Sequence, residues 1–194
     1  NYKAAPVAII GAQPDLVVTS ITPDATGVGG TPFKVSWTVK NESTVAAQTG
    51  GWVDRVYLSP TPNVLDVHDK SLILGEVQHV AGLGPNDTYN ASLTVTLSPS
   101  AIGQYIVVVT DDKQDGVLTS YNLIKELNDD NNDTAVTTNV TNRPADLVVT
   151  DFNIPDVNFS GEKVTIGYTI TNQGQYPVWP GTQYLSDFVW ISAD

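Results

Sequence analysis

From Phe33 to Lys40 the side chains change character at every step. Phe33, Val35, Trp37 and Val39 fall on one side, and Lys34, Ser36, Thr38 and Lys40 on the other. A period of two is the mark of a strand that buries one face and wets the other. It returns downstream, where Tyr89, Ala91, Leu93, Val95 and Leu97 alternate with Asn90, Ser92, Thr94 and Thr96. Tyr105 to Val109 is apolar throughout, the pattern of a central strand covered on both faces. Turn-forming clusters at 27–32, 50–51, 60–63, 82–86 and 98–103 separate these runs. The predicted strands are roughly 15–22, 33–41, 53–59, 71–80, 88–98, 103–111 and 134–141, with a single helical turn near Leu123 to Leu127. That spacing predicts an all-β, two-sheet sandwich of immunoglobulin-like (fibronectin III-like) type, without the paired Cys…Trp…Cys of true immunoglobulin domains.

The chain also repeats itself. Asp15-Leu-Val-Val-Thr19 returns as Asp146-Leu-Val-Val-Thr150, an offset of 146 − 15 = 131. At that offset Phe33 to Asn41 falls on Val164 to Asn172, so that Trp37 meets Tyr168. Asp54-Arg-Val-Tyr-Leu-Ser59 returns as Asp187-Phe-Val-Trp-Ile-Ser192, at 187 − 54 = 133, because the second copy carries two more loop residues. The expected organisation is a tandem array. Residues 1–13 form the terminal strand of a preceding repeat or a donated strand. Residues 14–143 form a complete sandwich, and 144–194 the first three strands of a second, incomplete one. Three strand patterns leave open edges and an uncovered face, so a continuing chain or strands from another molecule are both expected ways to complete it.

The blocks Pro14-Asp-Leu-Val-Val18, Val35-Ser-Trp-Thr-Val-Lys-Asn41, Trp52-Val-Asp-Arg-Val-Tyr-Leu-Ser59 and Tyr105-Ile-Val-Val-Val-Thr-Asp111 resemble the CARDB family, the cell-adhesion-related domain found in bacteria. The acidic stretch Glu126-Leu-Asn-Asp-Asp-Asn131-Asn132 is similar to that family's approach to its last strand. The resemblance covers 14–142 fully and 144–194 in part, and the connection from Asp111 to Glu126 is longer than in the family. It implies an extracellular Ig-like module, repeated in large surface or secreted proteins and without catalysis of its own.

Composition narrows the function classes. The net charge of −12, from 17 Asp and 4 Glu against 9 basic residues, disfavours nucleic acid, whose phosphates need a basic surface. Without cysteine there is neither a disulfide framework nor a thiolate metal site. The absence of cysteine and methionine suits a protein outside a bacterial or archaeal cell. No apolar run reaches the length of a membrane span, and any export signal would lie outside these residues. His68 and His79 accompany neither a nucleophile nor one another at ligand spacing, and no phosphate-binding glycine loop is present, so no enzyme activity is expected.

Three sets of candidate residues remain. Asp111, Asp112 and Asp115 follow one strand, and Glu126, Asp129, Asp130 and Asp133 precede the next, so their oxygens converge if the strands meet at one end of the sandwich. Calcium is the cofactor such oxygens would take, and solvated acidic turns are the other reading. Asp66 and Asp69 form a weaker second group. Asn41, Asn86, Asn90, Asn132, Asn139 and Asn158 each open an Asn-x-Ser/Thr sequon, and all fall in turns or on outward positions where a sugar is expected to fit. Threonine-rich strands also generate such triplets by chance. Phe188 and Trp190 take outward positions beside the core positions Val189 and Ile191, marking either an interface or a surface beneath a loop.

The function expected from these signals is a structural or adhesive repeat segment of an extracellular bacterial or archaeal stalk or fibre, glycosylated, with neighbouring copies of the repeat as partners. The alternative is a non-catalytic glycan-binding or spacer module of a large secreted enzyme, presenting loops near Trp52 and Trp179 that bind surface glycans.

Overall fold

The computed structural model describes residues 2–4, 6, 11–47, 50–63, 71–112, 124–128, 130–178 and 186–191. All its regular structure is strand: β1 (Leu16–Pro23), β2 (Gly27–Val28), β3 (Pro32–Asn41), β4 (Trp52–Ser59), β5 (Leu72–His79), β6 (Thr88–Thr96), β7 (Gly103–Val109), β8 (Asp133–Thr141), β9 (Leu147–Asn153) and β10 (Gly167–Asn172). A three-stranded sheet in the order β1-β3-β6 faces a five-stranded sheet in the order β2-β8-β7-β4-β5, and β10-β9 stands as a separate pair. The expected all-β sandwich is what the chain forms.

The alternation read in the sequence decides which face of each strand goes inward. In β3, Phe33, Val35, Trp37 and Val39 are buried while Pro32 and Lys34 are exposed. They meet Val56 and Leu58 of β4 and Ile106 and Val108 of β7 in one core, together with Leu16, Val18, Trp52, Leu97 and Val140. Each fully buried aliphatic side chain of this set contributes roughly 1.5–3 kcal/mol. The strand β7, between β8 and β4, is apolar on its second face as well: Val107 and Val109 join Tyr57 in a smaller buried cluster.

Two details of the expected pattern differ. The pairing of Gly27 and Val28 with Val140 and Thr141 adds a short parallel strand that no local pattern marks. Residues 124–127 form no helical turn and are tied to the start of β1, with the Leu127 N–H donating to the Pro14 carbonyl at 2.9 Å and Glu126 accepting the Leu16 N–H. Leu123 lies outside the described residues.

The pair β9–β10 keeps the register of β1–β3. Leu147 faces Asn172 and Val149 faces Ile170, as Leu16 faces Asn41 and Val18 faces Val39, and both pairs have their bulge one residue further on, at Thr19 and Thr150. Residues 186–191 form no strand, unlike their counterparts in β4, and no described strand flanks them as β5 and β7 flank β4. The described residues of 1–13 likewise enter no strand.

Candidate functional site

A carboxylate lies at the centre of the molecule. Asp54, fully buried in β4, is reached from both sheets. Trp37 Nε1 on β3 donates to its Oδ2 at 2.7 Å, Thr110 Oγ1 beyond β7 donates to Oδ1 at 2.7 Å, and the Tyr89 hydroxyl on β6 lies 2.8 and 2.9 Å from the two oxygens. Trp52 Nε1 donates in turn to that hydroxyl at 2.9 Å, so a chain of donors ends on one anion. Burial pushes the Asp54 carboxyl above its ordinary range, and the bonds from Trp37, Thr110 and Tyr89 oppose that push. Burial also pushes the Tyr89 phenol up, reinforced by the negative charge of Asp54. His79 closes the cluster, stacked on Tyr89 with ring centroids 4.0 Å apart and tilted against Trp52 at 4.5 Å. In a fold without a disulfide this network ties sheet to sheet. Both Asp54 oxygens are engaged by protein donors.

The neighbouring Arg55 points to the other face of the five-stranded sheet. Its Nε lies 3.2 Å from Glu76 and its Nη1 3.4 Å from Asp112, which also accepts the Tyr57 hydroxyl. An Asp-Arg pair inside a wholly buried strand was the visible signal for both networks, and its functional meaning was not drawn from the sequence.

Of the acids expected to gather around calcium, several are engaged by protein donors. Asp112 is held by Tyr57 and Arg55, and Asp111 accepts the Ile124 N–H at 3.0 Å. Glu126, buried, accepts the Leu16 N–H at 2.7 Å and Asn132 Nδ2 at 3.2 Å. Asp130 is exposed, and Asp133 is partly buried at the start of β8. Asp66, Asp69, Asp115 and Asp129 lie outside the described residues. Among the described residues no three acids or histidines are grouped to hold a metal ion.

The sequons divide by burial. Asn86, Asn90, Asn139 and Asn158 are exposed. Asn41 is wholly buried: its Oδ1 accepts the Asp15 and Ser43 N–H groups at 3.1 Å each, and its Nδ2 donates to the carbonyls of Val45, Leu83 and Gly84 at 2.7, 3.3 and 3.2 Å. Asn132, also buried, donates from Nδ2 to the Thr110 carbonyl and to Glu126. The expectation that a sugar fits at all six is therefore corrected at these two, whose amide nitrogens are committed inside the fold.

Phe188 and Trp190 are exposed, their ring centroids 6.4 Å apart. Val189 and Ile191, expected in the core, are exposed too, at 48% and 94%. Trp52 is buried completely and cannot present itself to a glycan, and Trp179 lies outside the described residues.

No family model matches the chain, and no curated protein matches it. Among solved structures it is similar to the CARDB domain of the PF1109 protein from Pyrococcus furiosus, in complex with di-metal ions, at 20% identity and a TM-score of 0.46, over 68% of this chain and 97% of that one. This is the family whose motifs the sequence resembles. A solution structure of the same domain matches at 20% identity and a TM-score of 0.45, over 67% and 97%. A β-glucosidase from Listeria innocua in complex with glucose matches at 15% identity and a TM-score of 0.34, covering 66% of this chain but 16% of the enzyme.

Proposed function

We propose that the chain is a non-catalytic segment of tandem β-sandwiches from an extracellular structural or adhesive protein of a bacterial or archaeal surface, serving as stalk or fibre and carrying N-linked sugars. The observation that carries this reading is the duplicated geometry. Asn172 repeats the Asn41 clamp 131 positions later, accepting the Asp146 and Gly174 N–H groups at 3.1 and 3.0 Å and donating to the Tyr176 carbonyl at 2.8 Å. A repeated domain with an inward-facing polar network is suited to bearing load, and a short connection from Thr141 to Leu147 limits the swing between units. Among the described residues no helix is long and apolar enough to cross a membrane, which leaves β-barrel spans unaddressed.

Calcium enters this reading through Asp111, Asp112, Asp115, Glu126, Asp129 and Asp130, with Asp66 and Asp69 as a weaker second group. Calorimetric titration of the metal-free protein showing neither heat nor a melting shift removes it. Electron microscopy of filaments from the native source tests the main reading. A regular axial repeat of one sandwich length supports it; an isolated globular particle contradicts it.

A further inference from the structure

The chain between the two units is held over most of its length. Gly29 donates its N–H to the Thr141 carbonyl at 2.8 Å, and the Arg143 N–H donates to the Pro99 carbonyl. Gly29 allows this approach because it has no side chain: a Cβ there would lie 2.6 Å from the Pro99 carbonyl oxygen and 3.0 Å from the Arg143 nitrogen. On the far side, the Asp146 N–H donates to Asn172 Oδ1 at 3.1 Å, and the Asp146 carbonyl accepts the Gln173 N–H at 2.7 Å. Only Pro144 and Ala145 lie between these anchors. Proline fixes its own φ and keeps the residue before it extended, so little rotation is left there.

One side chain crosses the joint. The Arg143 guanidinium lies over the Tyr176 ring, 5.1 Å from its centroid, within the range of a cation–π contact. Tyr176 belongs to the loop closed by the Asn172 clamp, since its carbonyl accepts Asn172 Nδ2. An open cleft of about 300 Å³ remains beside this contact, lined by Gly29, Gly30, Thr31, Pro99 and Pro177 among others, so the two units do not pack closely here. A joint of that kind lets domains move unless something fixes them. We propose that Arg143 and Tyr176 form a latch that fixes the angle between the first sandwich and the unit that follows it. The anchored linker removes most of the freedom, and the latch selects one of the orientations that Pro144 and Ala145 still allow. The pair belongs to this joint and not to the repeat, because the matching positions 131 residues earlier are Ala12 and Val45. The proposal rests on the tandem reading and goes beyond it in naming what sets the angle.

Because the chain has no cysteine, spin labels introduced by Ser92→Cys and Asp151→Cys, both exposed, report the distance between the units in the whole 194-residue chain. Pulsed electron spin resonance should give one narrow distance peak. Arg143→Ala and Tyr176→Ala should each raise the population outside that peak roughly two- to fivefold, the worth of an exposed cation–π contact. Both leave the backbone bonds of the joint in place, so the first sandwich should melt as before. Tyr176→Phe keeps the ring and should leave the peak unchanged. A broad distribution in the parent chain, an unchanged peak in both alanine variants, or broadening by Tyr176→Phe equal to that by Tyr176→Ala would overturn the proposal. The tandem reading fails separately: without the Val149–Ile170 cross-strand contact the second unit itself is lost, whereas a broad peak with that contact present removes the latch alone.

Discussion

Trp37 donates its indole hydrogen to the Asp54 carboxylate at 2.7 Å, joining the outer layer's central strand to a strand of the opposite sheet. The bond replaces nothing covalent, since the chain has no cysteine. It puts a single anion where three side-chain donors from β3, β6 and the end of β7 converge.

Removing that anion strands all three donors in the interior. Asp54→Ala is expected to destabilise the first sandwich by about 4 kcal/mol, since each buried unsatisfied group costs about 1–3 kcal/mol. Urea denaturation measures the loss. Asp54→Asn, which keeps one acceptor oxygen but turns an amide toward the donors, should fall between the two.

The Asn172 clamp bonds the counterparts of three of the five Asn41 partners, and the two differ in burial. Asn41→Ala should cost about 3 kcal/mol, from several buried bonds lost at once. Asn172→Ala, at an exposed site where water takes over, should cost under about 1 kcal/mol. Melting curves of the two variants compare them directly.

His79 makes stability fall on acidification. Burial holds its imidazole below the ordinary value of 6.5, with a backbone bond at Ala81 opposing, and its Nε2 is buried without a partner among the described residues. The unfolded chain therefore takes up the proton first, and stability declines as pH drops through 6.5 toward the folded value. Asp54 acts with the opposite sign. Its folded pKa is raised, so between the ordinary 3.8 and that raised value stability declines as pH rises. Melting temperatures from about pH 7.5 to about pH 5 should drop in the parent protein and drop less in His79→Gln.

Glycosylation should follow exposure rather than the bare triplet. Glycopeptide mass spectrometry of folded protein from an N-glycosylating host is expected to find sugar among Asn86, Asn90, Asn139 and Asn158, with Asn41 and Asn132 unmodified. A modified Asn41 in the folded fraction contradicts the clamp.

Strands such as β3 and β7 are legible because burial imposes its rhythm directly on their residues: Phe33 to Val39 alternates, and Tyr105 to Val109 does not. The pairing of Gly27 with Val140 leaves no such trace, being set by where β8 lies and not by local propensity. Asn41 was legible as a sequon and not as a clamp, since the partners that bury it, Leu83 and Gly84, are 42 and 43 positions away. The same distance hides the fate of Glu126, whose carboxylate accepts the Leu16 N–H across 110 positions. Asp54 carried a visible signal, an acid repeated at Asp187 inside an apolar run, but its partners Trp37, Tyr89 and Thr110 come from three other parts of the chain.

The duplication is tested most directly by cross-strand proton contacts measured by nuclear magnetic resonance in the intact chain. The account predicts α-proton and amide contacts pairing Val149 with Ile170 and Phe152 with Tyr168, broken by a bulge at Thr150, in the pattern of Val18 with Val39 and Ile21 with Trp37 about Thr19. A shifted register, or helical contacts over 147–172, would contradict it.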